Sequence, residues 1–285
     1  MSSDLLVEPI SSQLGVEHFA APLRPPLDAF VEVVWMVRGR TFYQSETVLP
    51  NGGIELMINF GSTQRVLAFG SRISFEEHRD YWVAGLQNQP LTIESSGESH
   101  LLSIRFRPGG AHALFGMPIE QINNRVIDLD LLLGSSITAL RDQLGASNDF
   151  RARLAVIEAW LLRRLEPLEY EHGLVCKAML AMQQPANRIR VSELCQDMGL
   201  SNKHMIAIFR RLVGLPPKSI ARIMRFHNLI EAVKFDTSAD WAGLAHRFNY
   251  YDQSHLIHEF RQLAGVAPEQ YMARRTPEGG SLHTD

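Results

Sequence analysis

The stretch Ser201-Asn202-Lys203-His204-Met205-Ile206-Ala207-Ile208-Phe209-Arg210 returns 51 residues later as Asp252-Gln253-Ser254-His255-Leu256-Ile257-His258-Glu259-Phe260-Arg261. The same offset pairs Leu212 with Leu263, Gly214 with Gly265 and Pro217 with Pro268. Upstream the offset is 50, matching Leu194 to Leu244, Cys195 to Ala245 and Gly199 to Asn249, so the second copy has gained one residue near Tyr250-Tyr251. Each copy reads as helix, turn, helix. A short helix (Val191–Met198; Asp240–Phe248) carries a small residue, Cys195 or Ala245, where a partner helix must come close. Gly199 or Asn249 follows, residue types that tolerate a left-handed turn. Ser201 and Asp252 are good N-caps. Met205, Phe209 and Leu212, like Leu256, Phe260 and Leu263, then fall at i, i+4 and i+7 and make one apolar face. Gly214 and Gly265 close these helices.

The opposite faces are polar: Asn202, Lys203, His204, Arg210 and Arg211 in the first copy, Gln253, Ser254, His255, His258, Arg261 and Gln262 in the second. A helix fits the DNA major groove with its N-terminal residues at the base edges. Gln can bond adenine bidentately, and Lys donates to guanine acceptors. Residues 217–234 make a connecting helix of about 27 Å, against about 34 Å for one turn of DNA. One chain can therefore set two reading helices in successive grooves. A helical bundle with duplicated hairpins and solvated polar faces is the alternative reading.

At these residues the sequence resembles the AraC/XylS-type transcription regulators. The signature of their second unit is found here as Ala245, Asn249-Tyr250, Asp252-Gln253-Ser254, Leu256, Phe260-Arg261, Gly265-Val266-Ala267-Pro268 and Tyr271. The resemblance runs from about Tyr170 to Arg275 and implies promoter binding and control of transcription initiation. It places base contacts at Lys203, Ile206, Ala207, Gln253, Ser254 and His258; Asn202, His204 and His255 join them from the polar faces. Arg210, Lys218, Arg222 and Arg261 are phosphate candidates, with solvated ion pairs as the other reading for each. Two departures stand out. Ala207 and His258 occupy positions where the family often has Arg, and Asn249 replaces the usual turn glycine. Ile206 and Ala207 can at best touch a thymine methyl, so base reading is expected to lean on the second unit.

Outward from this block the chain changes character. It has 285 residues, enough for about two domains. At 45% hydrophobic and 21% charged residues it has an ordinary globular composition. Residues 1–170 carry 14 Arg, no Lys and 20 acidic residues, a net of −6. Residues 171–285 carry 14 basic and 11 acidic residues, a net of +3, together with seven of the eleven histidines. A basic block on an acidic one points to a polyanion partner for the former. No apolar run reaches the ~18–20 residues of a membrane span. The N-terminal Met1-Ser2-Ser3-Asp4 does not read as a signal peptide, and two cysteines make no disulfide framework. The expected location is the cytoplasm, with no membrane association. Cys176 and Cys195 both read as buried packing residues.

Residues 28–106 read mostly as strands. Val31–Val37, Ile54–Phe60 and Leu101–Phe106 are β-branched and aromatic runs bounded by turn signals at Pro50-Asn51-Gly52-Gly53, Gly61-Ser62 and Pro108-Gly109-Gly110. Ala111–Phe115 reads as a short helix. Ile137, Leu140 and Leu144 share a helical face, and Leu154, Ile157, Leu161 and Leu165 share another, consistent with an antiparallel helix pair or a dimer face. Leu49–Leu56 and Arg105–Ala111 resemble the β-rich sensor domain in one branch of the same regulators, which implies a cupin-like or related β-barrel that binds a small molecule, dimerises, or both. The expected fold class is thus α+β. A β-rich barrel or sandwich with a helix pair fills residues 1–169, and an all-α domain with two helix-turn-helix units and a long linker helix fills 170–275. A flexible tail is expected over 276–285.

Trp35, Met57, Trp82, Arg105, Phe106 and Arg107 are the ligand candidates; filling the core is the other role open to the apolar ones. The turn at Pro108-Gly109-Gly110 could hold an anion on helix-start N–H groups beside Arg105 and Arg107, or simply join two core elements. No cofactor or metal is expected, because His18, His78, His100 and His112 are scattered. No catalytic triad or nucleotide loop is found. The expected partners are double-stranded promoter DNA, RNA polymerase, a small-molecule effector and a second copy of the chain. The rival readings are an effector-free dimeric regulator and a β-barrel enzyme tethered to DNA.

Overall fold

A computed structural model describes residues 10–11, 16–41, 44–94, 97–167, 170–183, 191–276 and 280–284. The expected domain junction lies between residues 169 and 170; residue 169 is outside the described residues, and α5 starts at Tyr170. Ten strands lead the chain: β1 (Ile10–Ser11), β2 (Val16–Ala21), β3 (Val31–Thr41), β4 (Ser45–Val48), β5 (Ile54–Asn59), β6 (Gln64–Phe69), β7 (Arg72–His78), β8 (Tyr81–Ala84), β9 (Leu91–Glu94) and β10 (Gly97–Phe106). They are followed by α1 (Gly110–Phe115), β11 (Val126–Asp128), α2 (Asp130–Leu133), α3 (Ser135–Gly145) and α4 (Phe150–Arg164). The described strands form two antiparallel sheets, ordered β1-β2-β3-β10-β5-β8-β11 and β12-β4-β9-β6-β7, where β12 (Ser281–Thr284) comes from the chain's end. The N-terminal half is therefore a β-sandwich.

Alternation sorts the larger sheet's side chains. Leu56 and Ile58 of β5, Leu102, Ile104 and Phe106 of β10, and Val34 and Met36 of β3 face one way and join the main core. Ile137, Leu140 and Leu144 of α3 and Leu154, Ile157 and Leu161 of α4 cover that face. The two helical stripes pack as a pair on the sheet; the α4 stripe is consumed in the core and cannot serve as a dimer face. On the other side Met57 and Leu101 meet Val66, Phe69, Trp82, Leu91 and Val126 in a smaller core between the sheets.

Residues 276–285, read from sequence as a flexible tail, contain β12. Its register sets Ser281 opposite Val48 and Leu282 opposite Thr47, and Leu282 is buried. A single apolar residue among polar ones was too weak a pattern to mark a strand. Cys195 is buried, but Cys176 is exposed on α5 (Tyr170–Gln183), against expectation.

Arg153 of α4 is buried, and among the described residues no carboxylate is paired with it. Its Nε donates to the Leu144 and Ser147 carbonyls at 3.0 and 2.8 Å, at the C-terminal end of α3 where a cation is favoured. Its Nη1 donates to Met36 Sδ and to His100 Nε2 at 2.9 Å, and the guanidinium lies 4.5 Å from the Phe60 ring centre. His100 must be neutral at Nε2 to accept that bond. Burial first, then Arg153 and Arg38, lower its pKa from the ordinary 6.5. The sign follows: the unfolded chain binds the proton more readily, so this contribution to stability is full above about pH 6.5 and is lost as pH falls below it. His227, lowered chiefly by burial, acts with the same sign. Urea melts between pH 7.5 and 5 should show stability falling with acid, and less steeply in His100→Gln. Equal slopes would remove His100 from this account.

Candidate nucleic-acid interface

The second half is helical: α5, α6 (Val191–Asp197), α7 (Asn202–Leu212), α8 (Pro217–Val233), α9 (Trp241–Arg247), α10 (Gln253–Ala264) and α11 (Pro268–Arg274). Units α6–α7 and α9–α10 repeat one construction. Gly199 and Asn249 sit at φ +65 and +56, the left-handed turns expected of them. Leu200 N donates to Cys195 O at 2.8 Å, and Tyr250 N to Ala245 O at 2.9 Å. The two turns therefore match through Tyr250, and the extra residue is Tyr251, which is 90% exposed. Ser201 Oγ then accepts from His204 N at 3.2 Å and Asp252 Oδ1 from His255 N at 2.7 Å, the N-caps read from sequence. Met205, Phe209 and Leu212, and likewise Leu256, Phe260 and Leu263, are buried. Pro217 opens α8, where its missing N–H costs nothing.

What remains outward is the candidate interface. Asn202, Lys203, His204 and Ala207 of α7 and Gln253, Ser254 and His258 of α10 are exposed, while Ile206 and His255 are partly covered. His204 leans toward α5, its Nε2 3.4 Å from Glu171. His255 is turned inward: its Nδ1 accepts from Tyr251 N at 3.2 Å and its ring meets Tyr250 at 5.6 Å. The sequence reading could not foresee this, because the extra residue Tyr251 supplies the donor. His258 Nε2 lies 2.7 Å from Gln262 Nε2.

The phosphate candidates divide. Lys218 and Arg261 are exposed. Arg210 is exposed but 4.0 Å from Glu120 in the first half of the chain. Arg222 is drawn into an ion cluster: its Nε lies 3.1 Å and Arg225 Nη2 2.6 Å from the buried Glu259 carboxylate. Arg225 also stacks 4.5 Å from the Tyr250 ring centre, and burial pushes the Tyr250 hydroxyl up to about 12. Glu259 was not singled out from sequence. Its place one turn after His255 on α10, beneath Arg222 and Arg225 of α8, emerges only when the helices cross.

The two halves touch at several points. Asn123 donates to the Gly214 carbonyl, His172 of α5 bonds Gly109 O at 3.2 Å, and a polar cleft of about 250 Å³ is lined by Asn88, Gln89, Ser219, Arg222 and Gln262. The six ligand candidates do not share one pocket. Met57 and Trp82 belong to the small core between the sheets. Trp35 and Arg105 converge on Glu55, which accepts from Trp35 Nε1 at 3.2 Å, Ser103 Oγ at 2.9 Å and Arg105 Nη2 at 2.8 Å. Burial alone would lower the Arg105 pKa, but the Glu55 carboxylate outweighs it and raises it. Phe106 lies in the main core, and Arg107 donates to Asp28 O at 2.7 Å. At the Pro108-Gly109-Gly110 turn the Gly109 Cα is overlaid by His172 and the Gly110 Cα by the Phe30 carbonyl. Both arginines point elsewhere, so the structure fits the tight-turn reading. Among the described residues no group of three or more His, Cys, Asp or Glu could hold a metal ion, and no helix is long and apolar enough to cross a membrane.

Residues 194–274 match a helix-turn-helix domain family, and residues 20–128 match a domain of unknown function, DUF6597. No curated protein matches the sequence. Among solved structures, one of ToxT from Vibrio cholerae is similar at 9% identity with a TM-score of 0.45, covering 84% of this chain and 97% of that one. Unsaturated-fatty-acid-bound ToxT from the same organism is similar at 11% identity with a TM-score of 0.44, covering 82% and 96%.

Proposed function

We propose that the chain, whose residues 194–274 match a helix-turn-helix domain family and carry the AraC/XylS-like signature, is a transcription regulator that reads promoter DNA through α7 and α10 under the control of a small molecule. The observation that carries the reading is the matched build of the two units: equal turns, equal side-chain caps, equal buried faces, and polar N-terminal ends left outward. Seventeen residues of α8 join them, about 26 Å of rigid spacer. Lys203, Gln253, Ser254 and His258 supply base contacts, with Ala207 and the half-covered Ile206 limited to apolar touch. Lys218 and Arg261 neutralise phosphates. The protein works in the cytoplasm and acts on RNA polymerase.

Control by an effector requires that the ligand bind two arrangements of the chain unequally. The contacts between the halves, Asn123 on the Gly214 carbonyl and His172 on the Gly109 carbonyl, offer the coupling.

The test is binding of the full chain to selected DNA. Lys203→Ala and Gln253→Ala should each lose about 1–3 kcal/mol of discrimination at particular base pairs. Arg261→Ala should weaken all sequences alike and flatten the salt slope. Site preference unchanged in both α7 and α10 variants would overturn the reading. A thermal-shift screen of the full chain then separates effector control from an effector-free regulator.

A further inference from the structure

We propose that β7 is a self-pairing edge, through which two copies of this chain join their smaller sheets across a two-fold axis at Ser74. Among the described residues β7 ends its sheet, with β6 as its one strand neighbour. It carries Ile73 at 73% and Phe75 at 80% exposure, and among the described exposed large apolar residues these two alone share a strand. Edge strands ordinarily avoid such a row, because unpaired N–H and C=O groups beside apolar side chains invite another strand.

The order of residues says which strand. The β6–β7 ladder slips register opposite Ser74 and Phe75, yet the buried Ser74 and His78 mark one face through the slip, which Arg72 and Glu76 share, and Ile73 and Phe75 take the other. Antiparallel pairing of β7 with itself about Ser74 sets Arg72 opposite Glu76 of the second copy and Ile73 opposite its Phe75, and symmetry makes each pair twice. Opposite charges and apolar pairs directly across a ladder are the favourable combinations. Shifting the axis to Phe75 would instead set Ile73 against Glu77 and Ser74 against Glu76. Glu77, on the apolar face, is already paired with a cation, Arg65, at 2.7 Å, and it passes beyond the paired segment in the Ser74 register, whereas Glu76 accepts a neutral hydroxyl, Ser74 Oγ at 3.0 Å. The rival surface, the α4 stripe, is spent in the core. A two-fold interface of this kind needs the same patch to be complementary to itself, and Arg72-Ile73-Ser74-Phe75-Glu76 is.

Sedimentation equilibrium of the full chain without DNA tests this. A dimer is expected. Arg72→Glu turns two attractive pairs into two repulsive ones and should raise the dimer dissociation constant by about tenfold or more. The double variant Arg72→Glu/Glu76→Arg should restore it, because only the order of the pair has been exchanged. Phe75→Glu should leave monomers, and Ile73→Lys is a second lesion of the same contact should that chain not fold. A wild-type monomer at every concentration overturns the proposal, whatever foreign strand it captures. So does a dimer indifferent to Arg72→Glu and Phe75→Glu, or a double variant no tighter than Arg72→Glu. None of these outcomes touches the DNA-reading assignment.

Discussion

Replacing Phe260 by alanine is expected to destabilise the helical half by about 4 kcal/mol and to abolish DNA binding with it. Phe260 is fully buried on α10. Three aromatic rings meet it edge-on: Phe226 of α8 at 5.2 Å, Trp241 of α9 at 5.9 Å and Tyr271 of α11 at 5.5 Å. One side chain thus ties four helices, and each contact adds to the area it buries. Alanine leaves a cavity that four crossed helices cannot close. Leucine keeps most of the volume and should cost about 1–2 kcal/mol. Urea unfolding at pH 7.5 checks both; a loss below about 1 kcal/mol for alanine would show that the second unit is not built around this ring.

Gly110→Ala should be nearly as severe for a different reason. A Cβ at Gly110 would lie 2.0 Å from the Phe30 carbonyl oxygen and 2.9 Å from its carbon. That oxygen already accepts from Arg107 N at 2.8 Å, so the clash is with anchored backbone. The expected cost is about 3 kcal/mol or more, as overpacking against a rigid wall. Gly116→Ala is the control. It has φ +65 but nothing within 4 Å of the new atom, so only backbone strain of about 1 kcal/mol remains. Comparable melting temperatures for the two variants would refute the packing argument.

Much of the second half was legible because duplication wrote the same instructions twice. A turn glycine or asparagine, a cap and an apolar i, i+4, i+7 series are local signals, and each held in both units. The strands were legible where β-branched runs met turn residues, as in β3, β5 and β10. What escaped was long-range. Nothing local says that Arg153 will be buried against neutral acceptors, or that Glu259 will gather Arg222 away from the surface. The ligand candidates rest on residue type, which does not tell a pocket wall from core filling. Alternation alone separates Phe106 from Arg105, because neighbours on a strand face opposite ways. Glu55, on which Trp35 and Arg105 meet, lies within Leu49–Leu56, but nothing in that local stretch marks it as a shared acceptor.

The return of β12 to β4 ties the end of the polypeptide to its beginning. The helical half is therefore held at both of its ends, like the handle of a bucket, by α5 on the Gly109 turn and by the last strand on the sandwich. Between the two mounts Asn123 on the Gly214 carbonyl and Glu120 beside Arg210 steady the handle, and lifting it off requires peeling a strand. Cutting the chain near residue 170 would strip the sandwich of a strand along with its handle.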